Sequence, residues 1–275
     1  MLFIFFIVSG VFLLSIILII AIYSYKRFTL ISDIPFYPVD AVKSSGLTIG
    51  IIGDSWATFN KLDNLLHQEL LNNGFENKII SSGQSGAKTR LIYQNLFKDS
   101  RSKNSCKFII ESNPHYCIVL GGTNDAIGQM GPGYYSFHII KIIKLLLHYN
   151  ISPVVLTLPK IGITEMNKTM NIFQRFRNRI SAFFNNGNQI ENIDSYRKGL
   201  IERLKIEGLE NKILLIDFDK ACEGYKNDSD LYKNPIHLSG KGNKKLACFI
   251  AKELIKKINE KILSENTSKK SFSNH

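Results

Sequence analysis

The chain has 275 residues, 44% of them apolar and 21% charged, with 19 glycines, 7 prolines and 4 cysteines. That composition excludes a collagen, a low-complexity disordered chain and a disulfide-stapled mini-domain, and the length allows a full hydrophobic core. Lysine and arginine number 35 against 23 aspartates and glutamates, and the net charge of +12 invites a nucleic-acid or anionic-membrane reading that only its distribution can decide.

Residues 1–25 carry no charged side chain, and Leu2–Ile22 is interrupted only by Ser9, Gly10, Ser15 and Ala21. About 20 such residues, at roughly 1.5 Å each, cross the ~30 Å hydrocarbon core of a bilayer as a helix. Residues 1–25 are therefore expected to be a transmembrane anchor, with the lipid bilayer as a partner. A cleaved secretory signal fits less well, because no basic residue precedes the run and Tyr23-Ser24-Tyr25-Lys26-Arg27 follows it. Lys26 and Arg27 favour a body on the cytoplasmic side, with the other side left open, and Tyr23 and Tyr25 suit an interfacial belt.

Residues 26–46, with Pro35, Pro38, Asp33 and Asp40 and no sustained period, read as a linker. From there to 263, short apolar runs alternate with helical patterns. Strands are predicted at Leu47–Ile52, Lys78–Ser81, Tyr116–Leu120, Pro153–Leu158 and Ile213–Phe218. Helices are predicted on the Leu62, Leu65, Leu66, Leu70 face, around Arg90–Phe97, and over Phe137–Leu147, Ile193–Ile206 and Leu246–Leu263. The strands are continuous apolar runs, as in parallel strands buried on both faces. Five of them separated by helices predict an α/β domain, a three-layer α/β/α sandwich around a mainly parallel five-stranded sheet. The polar tail 264–275 is expected to be disordered.

In such sheets ligands bind beyond the carboxyl ends of the strands. Gly53-Asp54-Ser55-Trp56 follows the first strand, Ser82-Gly83-Gln84-Ser85-Gly86 the second, and Gly121-Gly122-Thr123-Asn124-Asp125 the third. Asn234-Pro235-Ile236-His237-Leu238-Ser239 precedes the last helix. A serine on a glycine turn after a buried strand exposes its hydroxyl, and His237 is the one histidine among these segments that could take its proton.

The set resembles the SGNH, or GDSL-type, hydrolase superfamily. The resemblance spans about Leu47 to Ile262 in block order and spacing. It implies a flavodoxin-like sheet, a nucleophile at Ser55 within Gly53-Asp54-Ser55, and a Gly-x-Asn-Asp block at Gly122-Thr123-Asn124-Asp125. It also implies an oxyanion hole from the backbone N–H groups of Ser55 and Gly83 and the side chain of Asn124, and a general base at His237. Asp54, Gly122 and Asp125 stand as supporting residues. The family's Asp-x-x-His block departs here, with Asn234 in place of the aspartate. Asn234 could still orient the imidazole through its oxygen. Asp228 or Asp230 could fold back as the acid, or a backbone carbonyl could assist a Ser–His dyad.

Neither a dinucleotide fingerprint nor a P-loop occurs, and His67, His115, His138 and His148 form no metal-binding spacing, so no metal or cofactor is expected. Asn150, Asn167, Asn227 and Asn266 head acceptor sequons that matter only for a secreted eukaryotic chain. Cys106, Cys117, Cys222 and Cys248 form no pair with metal spacing. Cys117 and Cys248 lie in apolar runs and are expected to be buried thiols.

The positive charge is concentrated in two places. From 233 to 275 there are ten lysines against three glutamates, and residues 160–190 hold five basic residues against Glu165. In that second segment Ile172, Phe173, Phe176, Ile180, Phe183 and Phe184 share one helical face. It is read either as a helix packed on the core or as an interfacial lid on an anionic membrane. The charge so placed argues for a membrane surface and against nucleic acid. The expected function is a membrane-anchored serine hydrolase cleaving acyl esters, O-acetyl groups above all, on a glycan or lipid-linked substrate. The same site could serve an O-acyltransferase, and Asn234 keeps a catalytically silent binding protein open.

Overall fold

The computed structural model describes the backbone of residues 2–58 and 61–272; the side chains of 1–5, 23–27, 59–60, 186 and 265–275 lie outside the described residues. Residues 1–32 and 33–275 form two separate units.

The first unit is helix α1, Leu2–Phe28, 27 residues long. Its described side chains from 6 to 22 are exposed apart from Ile20 and apolar apart from Ser9 and Ser15, with Phe12, Leu14 and Ile19 each about two-thirds exposed. Among the described residues no helix is long and apolar enough to cross a membrane. The transmembrane span expected at residues 1–25 is therefore not supported among the described residues. Tyr23, Tyr25, Lys26 and Arg27, read as its interfacial flank, lie outside the described side chains.

The second unit follows in order. β1 (Leu47–Gly53), α2 (Ser55–Thr58), α3 (Leu62–Asn72) and β2 (Asn77–Gly83) lead to α4 (Thr89–Asn95), α5 (Lys107–Glu111) and β3 (Tyr116–Leu120). α6 (Thr123–Ile127), α7 (Pro132–His148), β4 (Ser152–Thr157), α8 (Ile163–Thr169) and α9 (Ile172–Asn186) come next. Then come α10 (Asp194–Ile206), β5 (Leu214–Asp217), β6 (Tyr232–Asn234), β7 (His237–Leu238) and α11 (Gly240–Phe272). β1–β5 form one parallel sheet in the order β2-β1-β3-β4-β5. The α/β expectation holds, and the order reverses direction between β1 and β3, where such sheets bind ligands.

Ile49, Ile51, Ile52, Ile118, Val119, Val154 and Val155 are buried to 1% or less, so both faces of the central strands are covered. This explains why their sequences run apolar without alternating. α3 packs with α11 on one face, and α4 and α10 pack with α7 on the other. Each fully buried Ile or Leu in these layers contributes roughly 1.5–3 kcal/mol.

Four expectations change. The stretch read as a linker at 26–46 is, from 33 to 45, a strap fastened to the domain. Tyr149 accepts from Tyr37 N (3.0 Å) and donates to Tyr37 O (2.6 Å), and Tyr37 Oη donates to Leu96 O (2.9 Å). Phe36 stacks on His148, Asp33 pairs with Lys141, and Asn113 donates to Ala41 O (2.7 Å). Second, α11 runs on to Phe272 through the stretch expected to be disordered, since no glycine or proline interrupts 243–272; residues 273–275 lie outside the described residues. Third, Cys248 is exposed, because the buried face of α11 is Leu246, Ala247, Ile250, Ala251 and Leu254; Cys117 is buried as expected. Fourth, α9 does not pack its apolar face on the core: Ile172, Phe173, Phe176, Phe183 and Phe184 are 55–81% exposed, while Asn178, Ser181 and Ala182 are buried.

Candidate active site

β1 ends where the chain must squeeze past β3. A Cβ on Gly53 would stand 2.0 Å from Leu120 O, so only glycine passes there. Asp54 then caps α2: its Oδ1 accepts from Trp56 N at 2.9 Å, while its own N–H donates to Leu120 O at 2.9 Å. This sets Ser55, 2% exposed, at the first position of the helix on the carboxyl edge of the sheet.

Facing it is the β6–β7 hairpin, whose turn is Pro235-Ile236. Asn234 Oδ1 accepts from the backbone N–H of Ile236 (3.1 Å) and of His237 (2.9 Å), closing the turn with a side chain. The same oxygen lies 3.2 Å from His237 Nδ1. An amide oxygen can only accept, so Nδ1 carries the proton and Nε2 is left with its lone pair. His237 Nε2 lies 3.0 Å from Ser55 Oγ, which donates to it. Ser55, His237 and Asn234 are thus brought into one hydrogen-bonded line. Burial, and then the nearby Lys233, hold the His237 imidazole below its usual pKa.

The proposed substitutes for the missing acid are elsewhere. Asp230 is paired with Lys241, and Asp228 Oδ2 accepts from Glu223 N at 2.6 Å. A backbone carbonyl at Nδ1 is not needed either, since the side chain of Asn234 is there.

The other strand ends converge on the same edge. Gly83 pairs in register with Gly53, and a Cβ there would meet Gly53 O at 2.8 Å. Gly122 has φ +112°, and a Cβ would lie 2.5 Å from the Tyr135 ring; this tight step starts α6. Asn124, on α6, donates to Asp54 Oδ2 (3.2 Å) and Ala87 O (3.1 Å), so both amide hydrogens are engaged. The expected oxyanion donor is therefore held within the site, with Asp54 competing for its hydrogen. Asp125 is fully buried and accepts from Thr89 N (2.9 Å) and Thr89 Oγ1 (2.8 Å). Burial pushes the carboxyls of Asp54 and Asp125 up to about 7 and about 6.

Two contacts escaped the sequence reading. Trp56 Nε1 donates to Ile236 O at 3.1 Å, and Gly162 N donates to Pro235 O at 2.7 Å. Both hold the hairpin turn that carries His237. The tryptophan beside Ser55, the chain's one Trp, was the available signal. Among the described residues no cluster of His, Cys, Asp or Glu could hold a metal.

No family model and no curated protein matches the chain in sequence. Solved structures match in fold. A GDSL-like lipase from Bacteroides thetaiotaomicron is similar at 15% identity and TM-score 0.51, over 77% of this chain and 88% of that one. The psychrotrophic esterase EstA from a Pseudoalteromonas species, solved with monoethylphosphonate as inhibitor, is similar at 12% identity and TM-score 0.53, over 77% and 98%. An acetyl xylan esterase is similar at 18% identity and TM-score 0.50, over 77% and 100%. The chain shares the fold of SGNH/GDSL-type hydrolases.

Proposed function

We propose that this chain is a carboxylic ester hydrolase in which Ser55 is the nucleophile and His237 the general base. One observation carries the reading: Ser55 Oγ lies 3.0 Å from His237 Nε2, while Nδ1 is turned to Asn234 Oδ1. His237 takes the Ser55 proton as Oγ attacks the acyl carbonyl, then returns it to the departing alcohol. Water, activated the same way, releases the acid. Oxygen charge in the tetrahedral state would be met by the N–H groups of Ser55 and Gly83 and by Asn124, whose hydrogen shifts from Asp54. Asn234 acts as a neutral orienting group, which argues against a silent site.

The substrate is proposed to be an acyl ester, above all an O-acetyl group on a glycan or lipid-linked saccharide. The acetyl xylan esterase shares the fold on which this proposal rests. The proposal retains residues 1–25 as a bilayer anchor, supported by the exposed apolar side chains described between Phe6 and Ile22, with Lys26 and Arg27 at its cytoplasmic end.

The test is labelling of the full chain by a fluorophosphonate, with turnover of p-nitrophenyl acetate. Labelling and turnover lost in Ser55→Ala and His237→Ala are expected; labelling that survives Ser55→Ala, or none at all in the wild type, would overturn the reading. Protease protection in sealed vesicles tests the anchor and its orientation.

A further inference from the structure

α9 turns the usual order of an amphipathic helix inside out. At about 100° per residue, Ile172, Phe176, Ile180 and Phe183 form one strip with Phe173 and Phe184 beside it. Arg177 borders the strip on one side, and Arg175 and Arg179 on the other. The opposite face is small and polar. Asn178 Nδ2 donates to Ile127 O (2.8 Å), and next to that face Asn185 Nδ2 donates to Gln129 O (3.1 Å), so α9 is fastened to the end of α6 by hydrogen bonds. Ser181 and Ala182 are buried beneath it. A capping box between Asn171 and Gln174 fixes its start. The helix is held in place with its aromatic strip facing outward.

We propose that α9 is a docking surface for an anionic phospholipid bilayer. A large exposed apolar strip flanked by arginines is what a helix lying in the membrane interface presents, with phenyl rings among the acyl chains and guanidinium groups at the phosphates. Arg175, Arg177, Arg179 and Lys168 make no ion pair among the described residues, so their charge is open to an anion. Beside the helix lies a cleft of about 170 Å³ lined by Lys168, Arg175, Arg179, Asn167 and Asn178, with Glu191 as its acidic member. Two copies pairing through this strip would bring like-charged arginine flanks together, which disfavours self-association. The proposal does not depend on ester chemistry or on α1, and it sets the bilayer beside the elements that follow β3 and β4, at the sheet edge where Ser55 sits.

The experiment uses the full chain with Phe183→Trp, whose emission is read against the buried Trp56 of the unsubstituted chain. The chain is reconstituted in phosphatidylcholine vesicles with and without phosphatidylglycerol, carrying lipids brominated at shallow or deep acyl positions. The expected result is at least a twofold drop in the added emission with shallow-brominated lipid in phosphatidylglycerol vesicles, lost when Arg175, Arg177 and Arg179 are all changed to Gln. Emission unaffected by brominated lipid overturns the proposal, and so does equal quenching with and without phosphatidylglycerol. Sedimentation showing a dimer broken by Phe183→Asp would overturn it in favour of a second copy. Unchanged circular dichroism in each variant confirms that the fold is kept.

Discussion

Trp56 Nε1 donates to the carbonyl of Ile236 at 3.1 Å, tying the helix that begins at Ser55 to the turn that delivers His237. Ser55 and His237 are 182 residues apart in sequence, and this buried bond ties the side chain next to one to the backbone next to the other. Trp56→Phe keeps an aromatic side chain but removes the donor and the pyrrole ring, leaving a buried carbonyl unpaired at a cost of about 1–3 kcal/mol besides the small cavity. Trp56 is a positioning residue, so kcat should fall about tenfold with KM unchanged, while fluorophosphonate labelling slows in parallel. A rise in KM alone would mean that Trp56 lines the substrate pocket instead.

Gly53→Ala would place a methyl 2.0 Å from Leu120 O, a backbone atom that cannot move without parting β1 from β3. The expected loss is more than about 3 kcal/mol, at the upper end of overpacking costs. Thermal unfolding should show a drop of roughly 6–12 °C or more, or no folded protein.

The parallel strands were legible because strands buried on both faces must be apolar without alternation, and three of the four candidate site blocks because they stand where strands end, the His237 block lying before the last helix. The strap was not. Tyr37 and Tyr149 meet through a hydroxyl and one residue's backbone N–H and C=O, a pairing across 112 positions that leaves no period. The hairpin escaped because its strands span three and two residues. For α9, periodicity located the apolar face but could not say which way it turns; that depends on Asn178 and Asn185 finding partners near α6. Asn234 read as a missing acid, yet one oxygen accepting three N–H groups does the aspartate's geometric work without its charge.

Tyr149→Phe removes both hydrogen bonds to the Tyr37 backbone while keeping the ring. Two part-buried bonds at about 1 kcal/mol each predict a loss of roughly 1–2 kcal/mol. Amide exchange near residue 37 should quicken far more than that of the sheet, since the strap opens locally. Uniform quickening across the domain would show that the strap is part of the cooperative core.

Asp125→Asn preserves both contacts with Thr89, an amide oxygen accepting from the backbone and an NH₂ donating to the hydroxyl. It removes a buried carboxyl whose pKa stands at about 6, against an ordinary 3.8. Between those values the native state holds a proton that the unfolded chain has released, so wild-type stability falls as pH rises. The loss is on the order of 3 kcal/mol by about pH 6. The melting temperature of Asp125→Asn should therefore gain on the wild type from pH 4 to about 6.5 and hold its lead above. Asp54, pushed to about 7 in the same direction, leaves a residual slope in both proteins.

Asn234→Asp tests what the neutral orienting group lacks. In the wild type the imidazole is already the right tautomer, because Nδ1–H points at an acceptor. A carboxylate there would add charge without changing geometry. It would stabilise the imidazolium that forms as Ser55 attacks, and a charge-assisted bond in place of a neutral one is worth about 1.5–3 kcal/mol. The plateau kcat should rise roughly 10- to 100-fold, less than the ~10⁴ ascribed to a wrong tautomer in serine proteases. Only the neutral imidazole can accept the Ser55 proton, so activity falls on the acid side as His237 protonates. Burial and Lys233 hold that pKa below 6.5, placing the wild-type limb below that pH. The new carboxylate favours the charged form, raises the pKa, and moves the limb to higher pH. A pH–rate profile of kcat/KM for both proteins reads the limb directly; an unmoved limb would show that Nδ1 faces something other than residue 234 during turnover.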